Sequence, residues 1–205
     1  MKKFKLTSEF IVDISGVKLF RIKALIEFGN VKAGDLGGYI EKEENLSHMG
    51  NAWVSGNAQV SGDARVFGDA RVFGNAQVSG DAQVFGDARV FGNAWVSGNA
   101  WVSGNAQVSG DARVCGDARV CGNGDYAYAH GFGSVNRTTT FFRLKDGGVG
   151  VRCGCFYGTL AQFRDKIRET HGETKKAQEY LMLADLMELR FEEDENEVGN
   201  RKYVE

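Results

Sequence analysis

The 205-residue chain contains no proline, an absence that by itself decides nothing. Other absences exclude more. No apolar run approaches the roughly 20 residues that cross a bilayer as a helix. Behind Met1-Lys2-Lys3 comes Phe4-Lys5-Leu6-Thr7-Ser8-Glu9, which is no apolar signal-peptide core, so a cytoplasmic setting is expected. Net charge is only −2 and no large basic field is present. Neither nucleic acid nor an anionic membrane is therefore expected as a partner on electrostatic grounds. No Gly-rich phosphate loop of the Walker or Rossmann kind occurs. Residues 51–122 hold neither histidine nor lysine, which removes two common general bases from that whole stretch.

Cysteine is scarce: Cys115, Cys121, Cys153 and Cys155. Cys115 and Cys121 fill the same slot of consecutive repeats. With three repeats to a coil they fall on different sides and do not bridge. Cys153-x-Cys155 lacks the Cys-x₂₋₄-Cys spacing and matching partners of a zinc site. Four reduced structural thiols suit a reducing compartment. No metal or other cofactor is expected.

What the chain has in abundance is one pattern. From Gly50 to Gly122 it reads Gly-Asn/Asp-Ala-x-Val-x twelve times without a slip. A fixed period over this length decides the architecture. Ala and Val sit two apart, so on an extended strand both point the same way. Gly accepts backbone angles closed to other residues, and Asn or Asp tolerates the turn that follows. The reading is a short strand, a corner and a short strand, with three six-residue sides closing a triangle. Twelve repeats make four such coils, stacked at about 4.8 Å each for roughly 19 Å of prism. Ala fits where the walls converge and Val fills the middle.

The flanks read differently. Phe4-Lys5-Leu6, Phe10 to Ile14 and Val17 to Ile22 alternate around a Ser15-Gly16 turn, a hairpin that, with residues to 50, caps the open apolar end a solenoid leaves. Past Gly122 the period stops. Thr138–Leu144 and Val149–Phe156 predict a second hairpin around Lys145-Asp146-Gly147-Gly148. Thr159 and Gln162 have capping-box spacing before a helix with Leu160, Phe163 and Ile167 on one side, ended by Gly172. A second helix is predicted over 174–191, with Ala177, Tyr180, Leu181, Ala184 and Met187 on one side. Residues 123–191 thus form a ββαα module, and 192–205 an acidic tail.

The run Val54…Ala58 through Val114…Ala118, an aliphatic residue followed four places later by a small one, resembles the hexapeptide-repeat left-handed β-helices. The slot after the aliphatic residue holds Ser, Phe or Cys here, which departs from the sugar- and acyl-transferase versions. The chain is more similar to the YdcK-like solenoids, on Leu19–Leu25, Val31–Tyr39 and Leu46-Ser47. That resemblance covers about residues 4–122. It implies a left-handed coil and a setting in bacteria, their phages or prophages, with dimers or trimers the usual assemblies. It implies no activity. The expected fold is mainly β: a single-stranded left-handed β-helix of about four 18-residue coils, between an N-terminal β cap and a C-terminal α+β module.

Transferases of this build commonly use a histidine near the coil wall. Here only His48, His130 and His171 exist, all outside the repeats, and each reads as a surface or capping residue. Outward positions are left as candidates. Asp and Arg two apart, as in Asp63 and Arg65, can pair, and Arg can stack on the Phe two places on. Stacking by 18 places Phe67 on Phe85 and Phe73 on Phe91, either covering a prism edge or forming an exposed strip for a partner. It also places Asp63 on Asp81 and Asp69 on Asp87, held by arginines or by a cation. Trp53, Trp95 and Trp101 fall on three sides. In the C-terminal hairpin, Arg137, Phe141, Arg143, Arg152 and Tyr157 combine guanidinium and aromatic planes suited to a nucleotide-like anion or an acidic peptide. The alternative is an ordinary sheet with aromatics packed on the helices and arginines in solvent. The expected function is a non-enzymatic scaffold that binds a protein through its C-terminal module or outer faces. Its alternatives are a nucleotide-sequestering protein and, less favoured, a transferase.

Overall fold

The computed structural model describes residues 1–135 and 137–192. Beyond Glu192, the expected acidic tail lies outside the described residues. The repeats build the predicted tube. Twelve two-residue strands, β4 (Trp53–Val54) to β15 (Arg119–Val120), stack in parallel in three sheets, each pairing with the strand 18 residues away. The first face carries Gln59, Gln77, Trp95 and Arg113 outward. The second carries Arg65, Gln83, Trp101 and Arg119, and the third Trp53, Arg71, Arg89 and Gln107. Every repeat Ala and Val is buried, so the interior is solid. The corner glycine is doubly required. At Gly86 φ is +68°, and an added Cβ would lie 3.1 Å from the Gly104 nitrogen in the next coil.

The tube is longer than the repeats alone. Strands β1 (Phe4–Val12) and β2 (Lys18–Ala24) form the expected hairpin, with a bulge between Leu6 and Phe10. β3 (Leu36–Ile40) pairs antiparallel with β2 and parallel with Gln59–Val60, and Leu46 bridges to Val66. Ile40 and Leu46 therefore add two inner sides ahead of Val54 and complete a first coil, so the solenoid has about five turns. Gly37 lets β3 into this corner, where an added Cβ would sit 2.4 Å from Ile22 and 2.7 Å from Trp53. The segment before residue 50 is thus both lid and first coil.

The C-terminal module corrects a detail. It has four strands, not two: β16 (Tyr126–Phe132), β17 (Arg137–Arg143), β18 (Val149–Cys153) and β19 (Phe156–Thr159), antiparallel in that order. Tyr126–Phe132 pairs with β17, and Gly154, at φ +58°, splits the run read as one strand. Helices α1 (Leu160–His171) and α2 (Lys175–Phe191) follow. The capping box forms: the Gln162 N–H donates to Thr159 Oγ1, and the Thr159 N–H donates to Gln162 Oε1. One sheet face puts Tyr126, Phe142 and Leu144 on the open end of the tube core. The other puts Phe141 and Val151 on Leu160, Phe163, Ile167 and Tyr180. No helix among the described residues is long and apolar enough to cross a membrane.

Candidate functional site

The five hairpin residues singled out in the C-terminal module are not gathered on one surface. Phe141 is fully buried, edge-on to Phe163 at 6.0 Å. Arg143 lies beside Asp125, 3.6 Å away, and over the Phe191 ring at 5.6 Å. Arg152 and Tyr157 are paired neighbours on β18 and β19, on the side toward the last coil. Tyr157 sits over the Gly116 corner, where any Cβ would meet its hydroxyl. Burial raises the Tyr157 hydroxyl above its ordinary range, against a smaller opposing bond to the Asp117 backbone. Arg137 is exposed at the start of β17, over Gly154. The sheet thus spends Phe141 and Arg143 on its join to the helices, and Arg152 and Tyr157 on its join to the tube.

The histidines each meet a neighbouring side chain, and of the cysteines Cys115 and Cys153 are half-buried while Cys121 and Cys155 are exposed. His48 Nδ1 accepts from the Lys3 N–H at 3.2 Å, Nε2 faces Glu43 at 3.7 Å, and the ring stacks on Phe4 at 4.4 Å. His130 shares a 2.9 Å hydrogen bond with Thr138, and His171 stacks on Tyr180 at 5.9 Å. All four cysteines are free. Burial pushes the Cys115 thiol up, outweighing the nearby Arg152 and Arg113, so it stays protonated and unreactive.

The tryptophans do fall on three sides. Trp53 is buried against Phe28, edge-on at 5.4 Å. Trp95 donates from Nε1 to Ser79 Oγ at 3.3 Å and lines a groove of about 420 Å³ between the first face and the hairpin tip at Val12–Ser15. Trp101, 39% exposed, belongs to the second face. There the side chains assemble. Phe67 and Phe85 stack in parallel at 4.9 Å, and Phe85 meets Trp101 edge-on at 6.1 Å. Arg119 covers the Trp101 ring at 4.2 Å. This strip runs into a shallow cavity of about 610 Å³ at the amino-terminal end of the face, floored by Leu46, Val66 and Phe67 and walled by Glu43, Glu44, His48 and Arg65. The Lys2 ammonium holds the Glu43 carboxyl below its ordinary range, with burial opposing and His48 adding a smaller lowering.

Two findings extend the expectations for the outer faces. Arginine stacks between coils on tryptophan, as Arg119 on Trp101 and Arg113 on Trp95, in the two repeats where cysteine and not phenylalanine stands two places on. Asp63 meets Lys42 at 2.6 Å, and Asp69 accepts from Asn51 at 2.9 Å. What sequence reasoning missed is the junction of strip and cavity. Glu43 and His48 stand about one coil before Arg65 in the chain, and the pairing of Leu46 with Val66 in the first coil brings them together.

A family profile described as the YdcK beta solenoid repeat matches residues 58–74, 64–80, 82–98, 94–110 and 106–124. A search of curated proteins returns no match.

Proposed function

We propose that the chain is a non-enzymatic β-solenoid scaffold that binds another protein through the second face of its tube. The observation that carries this reading is the continuous strip Phe67, Phe85 and Trp101, dressed by Arg119 and opening into the 610 Å³ cavity. Aromatic and Arg side chains are the residue types that anchor protein interfaces; here Trp101 is exposed and Phe67, Phe85 and Arg119 are half-buried. A solid interior keeps the face flat and rigid, so little order is lost on binding. The partner surface that fits is apolar, with a basic group for the exposed Glu44. In the phage-borne setting that the resemblance implies, such a partner is a host protein.

The enzyme alternative draws little support. Residues 51–122 of the tube carry no histidine or lysine, and His48, in the first coil, turns its nitrogens to Lys3 and Glu43. The nucleotide alternative held its anion at Arg143 and Arg152; Arg143 lies beside Asp125 and over Phe191, and Arg152 pairs with Tyr157 on the other side of the sheet, toward the last coil.

The test is affinity capture from bacterial lysate with wild type, Trp101→Ala and Phe85→Ala, followed by titration of the identified partner in pure form. Either substitution should weaken binding about tenfold or more, as truncated interface anchors do. Affinity untouched by both would defeat the assignment of the face.

A further inference from the structure

The two C-terminal helices differ on their outer sides. α1 shows solvent Gln162, Asp165, Lys166 and Glu169, as a surface helix should. α2 buries Ala177, Tyr180, Ala184, Met187 and Phe191 inward. On the opposite side it exposes Met182, Leu186 and Leu189, at 71%, 54% and 67%. Their spacing of four and then three makes one stripe on a helix. A second apolar face on a helix that has already met its own core marks a contact with something else.

We infer that this stripe pairs with the same stripe of a second copy of the chain, the two α2 helices antiparallel about a twofold axis. Charge chooses both the occupant and the direction. Glu179 and Arg190 are eleven residues, about three turns, apart and therefore lie on one side of α2. Setting Met182 level with Leu189 of the second copy places the two Leu186 beside the axis. It also brings Glu179 within two residues, about 3 Å along the helix, of the second copy's Arg190. Two equivalent ion pairs then flank the apolar seam. Glu179 holds the Gly133 N–H at 2.9 Å through one oxygen, and the other is left for the guanidinium. A parallel pairing would set Glu179 on Glu179 and Arg190 on Arg190, and would align the helix dipoles unfavourably. Asp185, near the axis, already carries its counter-charge: Arg164 bonds it at 2.8 Å. The pairing is independent of the second face and would present two such faces in one assembly.

A seam of three apolar side chains is at the low end of interface size, so a dissociation constant of roughly 1–100 µM is expected. Analytical ultracentrifugation of the full chain over that range should show reversible dimers. Leu186→Glu should leave monomers with unchanged thermal unfolding, since the residue is half exposed in the single chain. Arg190→Glu should weaken dimers about three- to tenfold, and adding Glu179→Arg should restore them. Monomers throughout, or dimers that survive Leu186→Glu, overturn the inference. A double charge reversal that restores nothing overturns the antiparallel arrangement.

Discussion

The two ends of the tube present opposite chemistry. Within the solenoid the N–H groups on either side of each Val donate to carbonyls one coil further on, as Trp53 to Ala70 and Ser55 to Val72, while some repeat Ala N–H groups, as Ala58 to Ser55, close a corner within their own coil. The amino-terminal end is therefore left mainly with carbonyl oxygens and the carboxyl-terminal end mainly with N–H groups, and a buried group of either kind must be matched. The amino-terminal lid supplies donors. Lys3 Nζ reaches the carbonyls of Gly50 and Ala52, the Asn45 amide reaches Gly62 and Ala64, and the Ser47 N–H reaches Val66. The carboxyl-terminal lid supplies acceptors. Asp125 takes the N–H groups of Cys121 and Gly122, Asn123 takes that of Gln107, and the Thr140 hydroxyl takes that of Arg113. The difference teaches that a solenoid cap is specified by the direction of the chain as much as by apolar cover. Donors predominate at one end and acceptors at the other, though Glu41 accepts the Gly62 N–H at the first and the Tyr126 hydroxyl donates to the Gln107 carbonyl at the second.

Exchanging the two chemistries should break this comparison most visibly. Asn45→Asp replaces a fully buried donor by an acceptor facing two carbonyls, at an expected cost of about 3–5 kcal/mol. Burial raises the pKa of the substituted carboxyl. Its neutral form recovers one donor, so the cost should shrink as pH falls and grow as pH rises through the raised value. Urea unfolding at several pH values measures both. Next in size, Asp125→Ala strips two N–H groups and the Arg143 guanidinium of a carboxylate, an expected loss of about 2–4 kcal/mol. Asp125→Asn keeps an acceptor and should cost about 1 kcal/mol. The same pair of groups, amide and carboxylate, would then be ruinous at one end and tolerated at the other. Equal costs at both ends would remove the polarity argument.

Lys3 sharpens the comparison with a pH window. Burial lowers its ammonium to about 8 from an ordinary 10.5, with Asp69 opposing. Between those values the unfolded chain binds the extra proton, so the Lys3 contribution to stability rises with pH from about 8 to 10.5 and is flat below. Lys3→Met should erase that rise. It should also cost about 1–2 kcal/mol at pH 7, because two carbonyls lose their donor. A stability–pH curve above 8 that is identical in wild type and variant would contradict the burial of the charge.

The tube was legible because one inward pair, Ala and Val, recurs without error. The first coil was less so. Ile40 and Leu46 keep the six-residue spacing but no glycine marks the corner between them, and Leu46 to Val54 spans eight around Gly50. The module's strands were half legible: Gly154 was the signal that 149–156 bends, and alternation hid it. The candidate site was the least legible part. Alternation showed that Phe141 and Arg143 share a side, and it cannot say that this side meets two helices. Stacking by 18 found Phe67 on Phe85. The cavity beside them needs Glu43 and His48, which only the pairing of Leu46 with Val66 brings near.

The smallest effect is expected from the same amide placed where water can replace its partners. Asn57, Asn75, Asn93 and Asp111 form a ladder up one corner, each amide donating to the next coil at 3.3, 3.3 and 3.0 Å. All four are exposed, and exposed hydrogen bonds exchange with water at little net gain. Asn75→Ala breaks two rungs, yet should lower stability by only about 0.5 kcal/mol. Asn45 makes comparable bonds at 2.9 and 3.0 Å from a site closed to solvent. If thermal unfolding finds Asn75→Ala as costly as a change at Asn45, the corner ladder and not the matched ends holds the tube together.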